Sequence, residues 1–439
     1  MNQTLSHNMS GDDVHSIEHS TIKKMRWKLI PFLLILYAIA YLDRTNISYA
    51  ALQMNSELGI APGQFGMIAS IFFIGYFIFE VPSNIALHRF GARKWIARIL
   101  ITWGAVAVAT AFVTSITHIY ILRFLLGAAE AGFFPGIAFY LTFWFPRRHR
   151  AGAMATFFLA QIACNCIGAP LSGLIMDHVS GFGFSGWRWM ILLEGLPAIL
   201  LGIATLFVLR DSPQDVAWLN ADEKKWIKED LEQETKNSPP TELRWWKILA
   251  NKHVLYLAIT YVWIVMAIYG ITFWMPTLIK GFQNHFSNTV IGFLVVIPTL
   301  VGGVAMLVNG WHSDKTMERK WHVVTVVLIG ALGMFLLAMT TNTWLSMLWL
   351  CLISVAAYGY IAVWWTIPTA FLTGLSAAVG LAAINSVGNL GGFFGPWIVG
   401  MLVDWTGTPR AGLLFLCASF LIGAVMLALF RAPTKNQGV

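Results

Sequence analysis

Charged residues are scarce in this sequence: Asp, Glu, Lys and Arg make up 11% of its 439 residues, against roughly 25% in soluble domains. The 83 positions from Trp321 to Val403 contain none of them. That stretch could not present a charged surface to water, and it is long enough for three bilayer spans of about 20 residues each. A β-barrel is excluded because its strands would alternate apolar and polar residues. The sequence therefore predicts an all-α polytopic membrane protein.

Cysteine is scarce as well, and the four cysteines all lie inside apolar runs. This placement excludes a disulfide framework and a zinc site, whose ligands would cluster at short spacing. No cleavable signal peptide is visible, because residues 1–22 are polar and rich in His, Ser and Asn. The Gly-x-Ser-x-Gly and His-Glu-x-x-His motifs and a lysine-containing phosphate loop are missing. We therefore expect no enzyme, no metal site and no cofactor.

The apolar runs, cut at polar breaks, predict twelve transmembrane spans. Twenty-four of the 29 Lys and Arg residues then fall on one side of the membrane, and the alternate loops carry almost none. Cytoplasmic loops are enriched in Lys and Arg, so both termini are predicted to be cytoplasmic. The net charge of +8 is then mostly a topology signal and not the mark of a nucleic-acid-binding protein. The spans lie near 27–50, 64–87, 95–116, 118–143, 151–176, 187–209, 253–280, 288–311, 322–341, 344–368, 377–403 and 410–430.

One polar segment, residues 210–252, divides the spans into two pseudo-symmetric six-helix halves. Asn220 followed by Glu223 has the pattern of a helix-capping box, which predicts that this linker contains an amphipathic helix at the inner face of the membrane. The predicted organisation is a disordered cytoplasmic tail (1–26), an N-terminal half (27–209), the cytoplasmic linker (210–252), a C-terminal half (253–430) and a second cytoplasmic tail (431–439).

The two halves repeat each other in sequence. The segments after spans two and eight share an offset of 226 positions, and a Pro–Gly–Asp pattern in span five recurs in span eleven at an offset of 226 or 227. Such duplication is typical of transporters whose halves move about a site near the middle of the membrane. The patterns are Asn84-Ile-Ala-Leu-His88-Arg89 with Gly310-Trp-His-Ser-Asp314-Lys315, and Pro170, Gly173 and Asp177 with Pro396, Gly400 and Asp404.

Twelve spans, a charged central loop and Gly310-x-x-x-Asp314-Lys315 resemble the major facilitator superfamily. Three further strings are Tyr41-Leu-Asp43-Arg44-Thr-Asn46, Pro82-Ser-Asn84…His88-Arg89-x-Gly91-Ala-Arg93 and Arg123-Phe-Leu-Leu-Gly127-x-x-Glu130-Ala-Gly132-Phe-Phe-Pro135-Gly136. They resemble the anion:cation symporter branch of this superfamily, which takes up organic carboxylates with protons, and the resemblance covers residues 25–430. His88 stands where most superfamily members carry Asp, which puts a gating salt bridge from that loop in doubt.

Charges inside a bilayer are costly, about 2.5–3.5 kcal/mol each at a helix centre, so each one is a candidate functional residue. Away from the ends of the predicted spans, the charged residues all lie in the N-terminal half, whereas the interiors of spans seven to eleven offer aromatics, amides, hydroxyls and glycines. We expect the N-terminal half to handle charge and protons and the C-terminal half to shape the organic body of the substrate. The charged candidates are Asp43, Arg44, Glu80, Arg123, Glu130 and Glu194.

Arg44 is the first candidate for binding the substrate carboxylate, because a guanidinium stays protonated and matches a carboxylate with two hydrogen bonds. Asp43 and Arg44 point about 100° apart on a helix, and we expect both to border one cavity. Arg123 lies two turns before Glu130 on the same face of span four. It is predicted to be either a second carboxylate ligand or an anchor near the outer end of its helix.

Asp43 and Glu130 are the candidate proton carriers. Burial favours the neutral acid and a nearby arginine favours the charged one, so a substrate anion that competes for the arginine promotes protonation. The branch resemblance assigns proton-sensitive roles to both positions; a static ion-pair network is the alternative. Glu80, near the cytoplasmic end of span two, and Asp314 are the candidate gating residues. Glu194 is expected to have a structural or packing role.

The branch resemblance also implies that Tyr76, Gln161, Trp365 and Asn385 line the substrate cavity, and spacing alone does not select them. Buried amides suit carboxylate or hydroxyl oxygens, and amphipathic rings suit stacking on an organic acid. Packing is the alternative for the rings, because the chain has 20 Trp and 30 Phe.

These features predict a proton-coupled symporter that imports an organic carboxylate through the cytoplasmic (inner) membrane by alternating access. Its expected partners are a small organic acid, protons and the lipid bilayer, and we expect a monomer. A carboxylate exchanger, a transporter-like nutrient sensor and, more distantly, an intramembrane enzyme are the alternatives. Two substrate classes stay open, small hydroxylated acids such as sugar acids or tartrate-like diacids, and aromatic acids such as hydroxyphenylacetate. Trp364 and Trp365 favour the aromatic class slightly.

Overall fold

The computed structural model describes residues 11–236, 250–283, 285–372 and 374–433. Within these residues the chain is helical, and its β-structure is limited to one isolated bridge. The N-terminal half consists of α1 (Gly11–Glu57), α2 (Pro62–Phe90), α3 (Ala92–Thr110), α4 (Ile116–Glu130), α5 (Phe133–Thr142), α6 (Arg147–His178) and α7 (Gly186–Val208). The linker contains a 3-10 turn (Pro213–Asp215) and α8 (Ala221–Lys236). The C-terminal half consists of α9 (Lys252–Phe282), α10 (Asn288–Thr316), α11 (Lys320–Met339), α12 (Thr343–Gly359), α13 (Ile361–Trp364), α14 (Thr366–Thr369), α15 (Gly374–Thr406) and α16 (Arg410–Leu429).

The all-α polytopic fold predicted from the sequence is confirmed. Ten segments of the described chain are helical and are long and apolar enough to cross a membrane. Two of them are broken spans, one formed by α4 and α5 and the other by α12 to α14. The helices α3 and α6 coincide with the third and fifth predicted spans, so the helices overlap all twelve.

The break between α4 and α5 occurs at Gly132. This residue has φ +84°, and a Cβ built on it would lie 2.4 Å from the Ser83 Oγ atom of α2. Only glycine combines that left-handed backbone with so close an approach. The break therefore lets span four pack against α2 while changing direction directly after Glu130.

The N-terminal tail differs from the prediction, because α1 begins at Gly11 and not near residue 27. Residues 11–26, predicted to be disordered, are helical and contact the linker helix. Ser20 Oγ donates to Glu223 Oε1 at 2.7 Å, and Lys24 Nζ donates to Glu223 Oε2 at 3.0 Å. The polar composition that suggested disorder supplies these contacts at the surface of the bundle.

The linker helix α8 starts at the capping box that the sequence indicates. Asn220 Oδ1 accepts from Glu223 N–H at 2.8 Å, and Glu223 Oε2 accepts from Asn220 N–H at 2.9 Å. Burial raises the pKa of Glu223, but hydrogen bonds from Asn220, Lys24 and Ser20 outweigh this effect and hold the pKa below its usual range. Residues 237–249 of the predicted linker lie outside the described residues.

The two halves pack tightly at the end of the bundle remote from the chain termini, where α2 starts beside the end of α15 and α10 starts beside the end of α6. A Cβ on Gly400 would lie 2.5 Å from the Pro62 carbonyl oxygen, and one on Gly292 would lie 2.3 Å from that of Ala169. The backbones of opposite halves thus touch at both crossings. This packing leaves any space between the halves toward the end that carries the termini.

Two aspartates reinforce the same end. Asp404 Oδ2 accepts from the Gly63 N–H at the start of α2 at 2.8 Å. Asp177 Oδ2 accepts from the N–H and the hydroxyl of Thr289, both at 2.7 Å, and Oδ1 accepts from Asn288 Nδ2 at 2.7 Å. Each carboxylate therefore caps the first turn of a helix in the opposite half. We call these two contacts the aspartate latches.

Candidate functional site

A cavity of about 650 Å³ lies between the two halves. On α2 it is lined from Tyr76 to Asn84, and on α15 from Leu381 to Asn389, so it lies toward the end that carries the termini. Among the residues that the structure describes, nine aromatic rings line it, namely Tyr37, Tyr41, Tyr76, Phe133, Phe134, Tyr261, Tyr269, Tyr360 and Trp365. Its polar lining residues are Arg44, Glu80, Asn84, Glu130, Gln161, Asn385, Ser386 and Asn389.

Arg44 is fixed on the cavity wall by both halves. Its guanidinium forms an ion pair with Glu130 at the end of α4, and its Nη1 donates to the Tyr269 hydroxyl of α9 at 3.3 Å. It also lies 5.2 Å from the ring centroid of Phe72 and 5.4 Å from that of Tyr76, within cation–π range. Arg44 is the one Lys or Arg among the described residues that line the cavity.

Glu130 faces the cavity from the last residue of α4 and is buried. One of its carboxyl oxygens is occupied by Arg44, and its Oε2 has no hydrogen-bond partner within the described residues. A carboxyl paired through one oxygen keeps the other available for a proton. Arg44 and Glu130 therefore form an ion pair that a competing anion could open.

Asp43 does not border the cavity, contrary to the expectation from its position next to Arg44. Its Oδ2 accepts from the Trp103 indole N–H of α3 at 2.8 Å, and its Oδ1 accepts from Asn46 Nδ2 at 3.3 Å. The angle of about 100° between neighbouring helical side chains turns Asp43 into the N-terminal half while Arg44 faces the cavity.

Arg123 is buried behind the cavity wall, and this excludes its alternative role as an anchor at the outer end of its helix. Its Nε donates to the Ile68 carbonyl at 3.2 Å, and its guanidinium carbon lies 5.2 Å from the Phe72 ring centroid. Phe72 also contacts Arg44. The predicted direct contact between Arg123 and substrate is absent from this conformation, because Arg123 does not line the cavity.

The structure brings most of the predicted site residues together. Tyr76, Gln161, Trp365 and Asn385 all line the cavity beside Arg44 and Glu130. Glu80 lines it too, and its Oε2 accepts a hydrogen bond from Ser386 Oγ of α15.

Asp314 lies apart from the cavity, at the surface. Its side chain is 74% exposed, and its Oδ1 is 2.5 Å from Arg319 Nη1. Glu80 thus contacts the opposite half, whereas Asp314, at the end of α10, pairs with Arg319 just before α11 of the same half.

The sequence profile of the Major Facilitator Superfamily matches residues 33–393 and, in a second match, residues 282–439. The chain belongs to this superfamily. A "Putative tartrate transporter" of Agrobacterium vitis is 42% identical over 422 residues, which cover 96% of this chain and 94% of the relative. The "Quinolone resistance transporter" of Acinetobacter baumannii is 40% identical over 426 residues, covering 96% and 97%. The crystal structure of a D-xylose-proton symporter shares the fold, with a TM-score of 0.73 at 16% identity and coverage of 94% of this chain and 99% of that one.

Membership in the Major Facilitator Superfamily makes the chain a multi-pass membrane transporter of a small organic substrate, and not an enzyme. Several cavity residues of this transporter are absent from the sequence-based prediction. Tyr269 contacts Arg44, Ser386 contacts Glu80, and the hydroxyls of Tyr261 and Tyr360 lie 3.3 Å apart. The sequence carries no signal for them, because a tyrosine or serine in an apolar helix has the same pattern whether it packs or lines a cavity.

Proposed function

We propose that this transporter is a proton-coupled symporter that takes up an organic carboxylate by alternating access, with both termini in the cytoplasm. The position of Arg44 carries the proposal. A guanidinium that is held on the wall of a central cavity by residues of both halves can bind a carboxylate with two hydrogen bonds. Because its contacts come from both halves, they change when the halves move. Its contacts to Glu130 and Tyr269 are the ones a substrate would rearrange.

The charges of the cavity support coupling to protons. One guanidinium, Arg44, faces two carboxyls, Glu130 and Glu80. When both acids are ionised, the cavity has an excess of negative charge and repels an anion. Binding of a carboxylate is therefore favoured when a proton is taken up with it, and Glu130 is the natural acceptor because the substrate competes for its arginine.

The lining also bears on the class of substrate. The wall supplies ring faces from Trp365 and Phe134 and hydroxyl groups from six tyrosines. These groups fit an aromatic acid and also a small hydroxy acid, the class to which the tartrate named for one relative belongs. A thermal-shift panel of the purified protein with both kinds of acid ranks the two, because a ligand that binds the folded state raises the unfolding temperature.

The test of the proposed function is transport by purified protein in proteoliposomes. We expect counterflow of the best acid from the panel and its accumulation against a gradient when the outside is acidic. Counterflow without any dependence on the pH gradient would identify an exchanger, and the absence of both would reject a transporter for that acid.

Arg44→Ala should weaken binding of the acid by about 10- to 100-fold, because a hydrogen bond to a charged group contributes roughly 1.5–3 kcal/mol. Arg44→Lys should also weaken it strongly, since an ammonium cannot replace the planar fork. Isothermal titration calorimetry measures both. Arg188→Lys is the matched control, because Arg188 pairs with Glu57 at the remote end of the bundle. Unchanged affinity in folded Arg44→Ala would reject the assignment.

A further inference from the structure

Glu194 is a second buried carboxyl in the N-terminal half, on α7. Its Oε1 accepts a hydrogen bond from Ser172 Oγ of α6 at 2.6 Å. Its Oε2 is buried and has no hydrogen-bond partner within the part of the chain that the structure describes. Most buried polar atoms are hydrogen-bonded, so this oxygen is a candidate position for a proton.

Asn46 connects Glu194 with Asp43. The Asn46 amide nitrogen donates to Asp43 Oδ1 at 3.3 Å, and the same side chain lies near the Glu194 carboxyl without a hydrogen bond of normal geometry to its Oε2. The other donors near the two acids, the Trp103 indole to Asp43 and the Ser172 hydroxyl to Glu194, are also neutral.

Titratable groups surround this pair on several helices. Cys164 of α6 and Tyr49 of α1 are neighbours of the pair, and Glu130 and Arg123 of α4 act on Asp43 from the cavity side. Neither Asp43 nor Glu194 has an ion pair to Lys or Arg among the described residues, in contrast to Glu130. We call Asp43 and Glu194 the interior carboxyl pair.

Burying a carboxylate without a cation is strongly unfavourable. Two carboxylates that share one site cannot both remain ionised, because each disfavours the charge of the other. A proton on the pair removes this conflict and gives Glu194 Oε2 or an Asp43 oxygen a hydrogen to donate. In the conformation with the aspartate latches closed, the pair therefore holds at least one proton.

We propose that Glu194 is a proton-coupling residue, and that it shares a transported proton with Asp43 on the side of α1 that faces away from the cavity. This inference rests on the proposed proton-coupled function. Arg44 and Asp43 are adjacent on α1, so a movement of this helix that accompanies substrate binding at Arg44 also moves Asp43 relative to Glu194. The proton binds from the outer solution, is carried by the pair, and leaves to the cytoplasm.

The first test is Glu194→Gln in proteoliposomes. Glutamine keeps the size of the side chain and an oxygen for the Ser172 hydroxyl, but it cannot release a proton. We expect counterflow within about twofold of wild type and at least a tenfold loss of accumulation driven by a pH gradient. Glu57→Gln is the control, because Glu57 is a glutamate outside this interior that pairs with Arg188. Accumulation at the wild-type level in Glu194→Gln would overturn the proposal.

The second test is Ser172→Ala, which keeps the carboxyl and removes a hydrogen bond to its charged form. The carboxyl should then hold its proton more tightly, and the pH profile of gradient-driven uptake should move to higher pH while counterflow is unchanged. An unmoved profile, or loss of counterflow in both variants, would assign the pair to packing and overturn the proposal. Wild-type protein that exchanges substrate without any response to the pH gradient would instead overturn the proposed function itself.

Discussion

At the scale of single residues, the direction of a side chain decides its role more than its charge does. Asp43 and Arg44 are neighbours in sequence, yet Arg44 lines the cavity and Asp43 faces Trp103 inside the N-terminal half. In the proposed mechanism, one face of α1 presents Arg44 to the substrate and another face presents Asp43 to Glu194 of α7. A movement of α1 would then couple the two.

The prediction for a single residue concerns Tyr269 and its effect on substrate binding. Its hydroxyl accepts from Arg44 Nη1 at 3.3 Å and orients the guanidinium from the C-terminal half. Tyr269→Phe should weaken substrate binding about two- to tenfold, because a hydrogen bond contributes roughly 0.5–1.5 kcal/mol. Calorimetric titration measures the change.

The matched control is Tyr256→Phe on the same helix. The Tyr256 hydroxyl donates to the Met426 carbonyl at 2.7 Å, away from the cavity. An equal loss of affinity in the two variants would show that the effect comes from general destabilisation of α9 and not from the arginine.

The cost of burying charge singles out six residues, and three of them, Arg44, Glu80 and Glu130, line the cavity. The other three, Asp43, Arg123 and Glu194, are buried inside the N-terminal half. Tyr269 and Ser386 could not be singled out, because a neutral ring or hydroxyl in an apolar helix has the same pattern whether it packs or binds. The orientation of Arg123 was equally open, since a helix position fixes a face but not the neighbours that cover it.

At the scale of elements, one carboxylate supplies hydrogen bonds that join α1 and α8. Glu223 caps α8 and also binds Ser20 and Lys24 of α1. Because its folded-state pKa is lowered from 4.5, its contribution to stability is full above that pH and is lost as the pH falls through the lowered value.

Glu223→Gln should therefore lower the unfolding temperature at pH 7 and have a smaller effect at pH 3, about one unit below the ordinary glutamate pKa. Differential scanning fluorimetry in detergent at the two pH values measures this. Glu229→Gln, on the exposed face of the same helix, should leave the unfolding temperature unchanged at both pH values. If Glu223→Gln lowered the unfolding temperature equally at both pH values, the charge of Glu223 would not contribute to stability.

The aspartate latches are a second set of contacts between elements. Asp404 and Asp177 occupy equivalent positions of the internal repeat, 227 residues apart, and each caps a helix start in the opposite half. A carboxylate at a helix N-terminus contributes about 0.3–1 kcal/mol through the helix dipole, in addition to its hydrogen bonds. The latches therefore favour the conformation that is closed at the remote end.

Asp177→Asn and Asp404→Asn should each increase the population open at the remote end by about two- to fivefold, which corresponds to the loss of the charge. Spin labels at the exposed positions Phe182 and Trp405, one in each half, report it as a longer distance by pulsed electron resonance. Asp211→Asn, which removes a contact to Arg93 at the other end of the bundle, should leave the distances unchanged. Identical distance distributions in all variants would remove the latches from gating.

At the scale of the whole molecule, the internal repeat makes the two halves similar in structure, but the buried charges are distributed unequally between them. The equivalent landmarks in spans five and eleven form equivalent contacts, which the sequence offset of 226 to 227 anticipated. The broken spans at Gly132 and around Trp365 were not anticipated, because an apolar run has the same composition whether its helix is straight or interrupted. Among the described residues, the buried acids of the membrane-spanning helices lie in the N-terminal half, while the C-terminal half contributes rings and amides to the same cavity.

That asymmetry leads to a prediction about stoichiometry, which depends on charge across the whole membrane. Carrying a dianion inward with one proton moves one net negative charge against an inside-negative potential, at a cost of about 2.3 kcal/mol per 100 mV. Two protons make entry of a dianion neutral to the voltage and give a monoanion an entry that the voltage assists. Glu130 on the cavity and Asp43 in the interior are two separate acids, so we expect more than one proton per substrate.

Reversal potentials in proteoliposomes measure the ratio of protons to substrate directly. A ratio of one, with Asp43→Asn and Glu130→Gln variants that still accumulate substrate, would leave both acids as structural charges, because neither would then be needed to balance the anion.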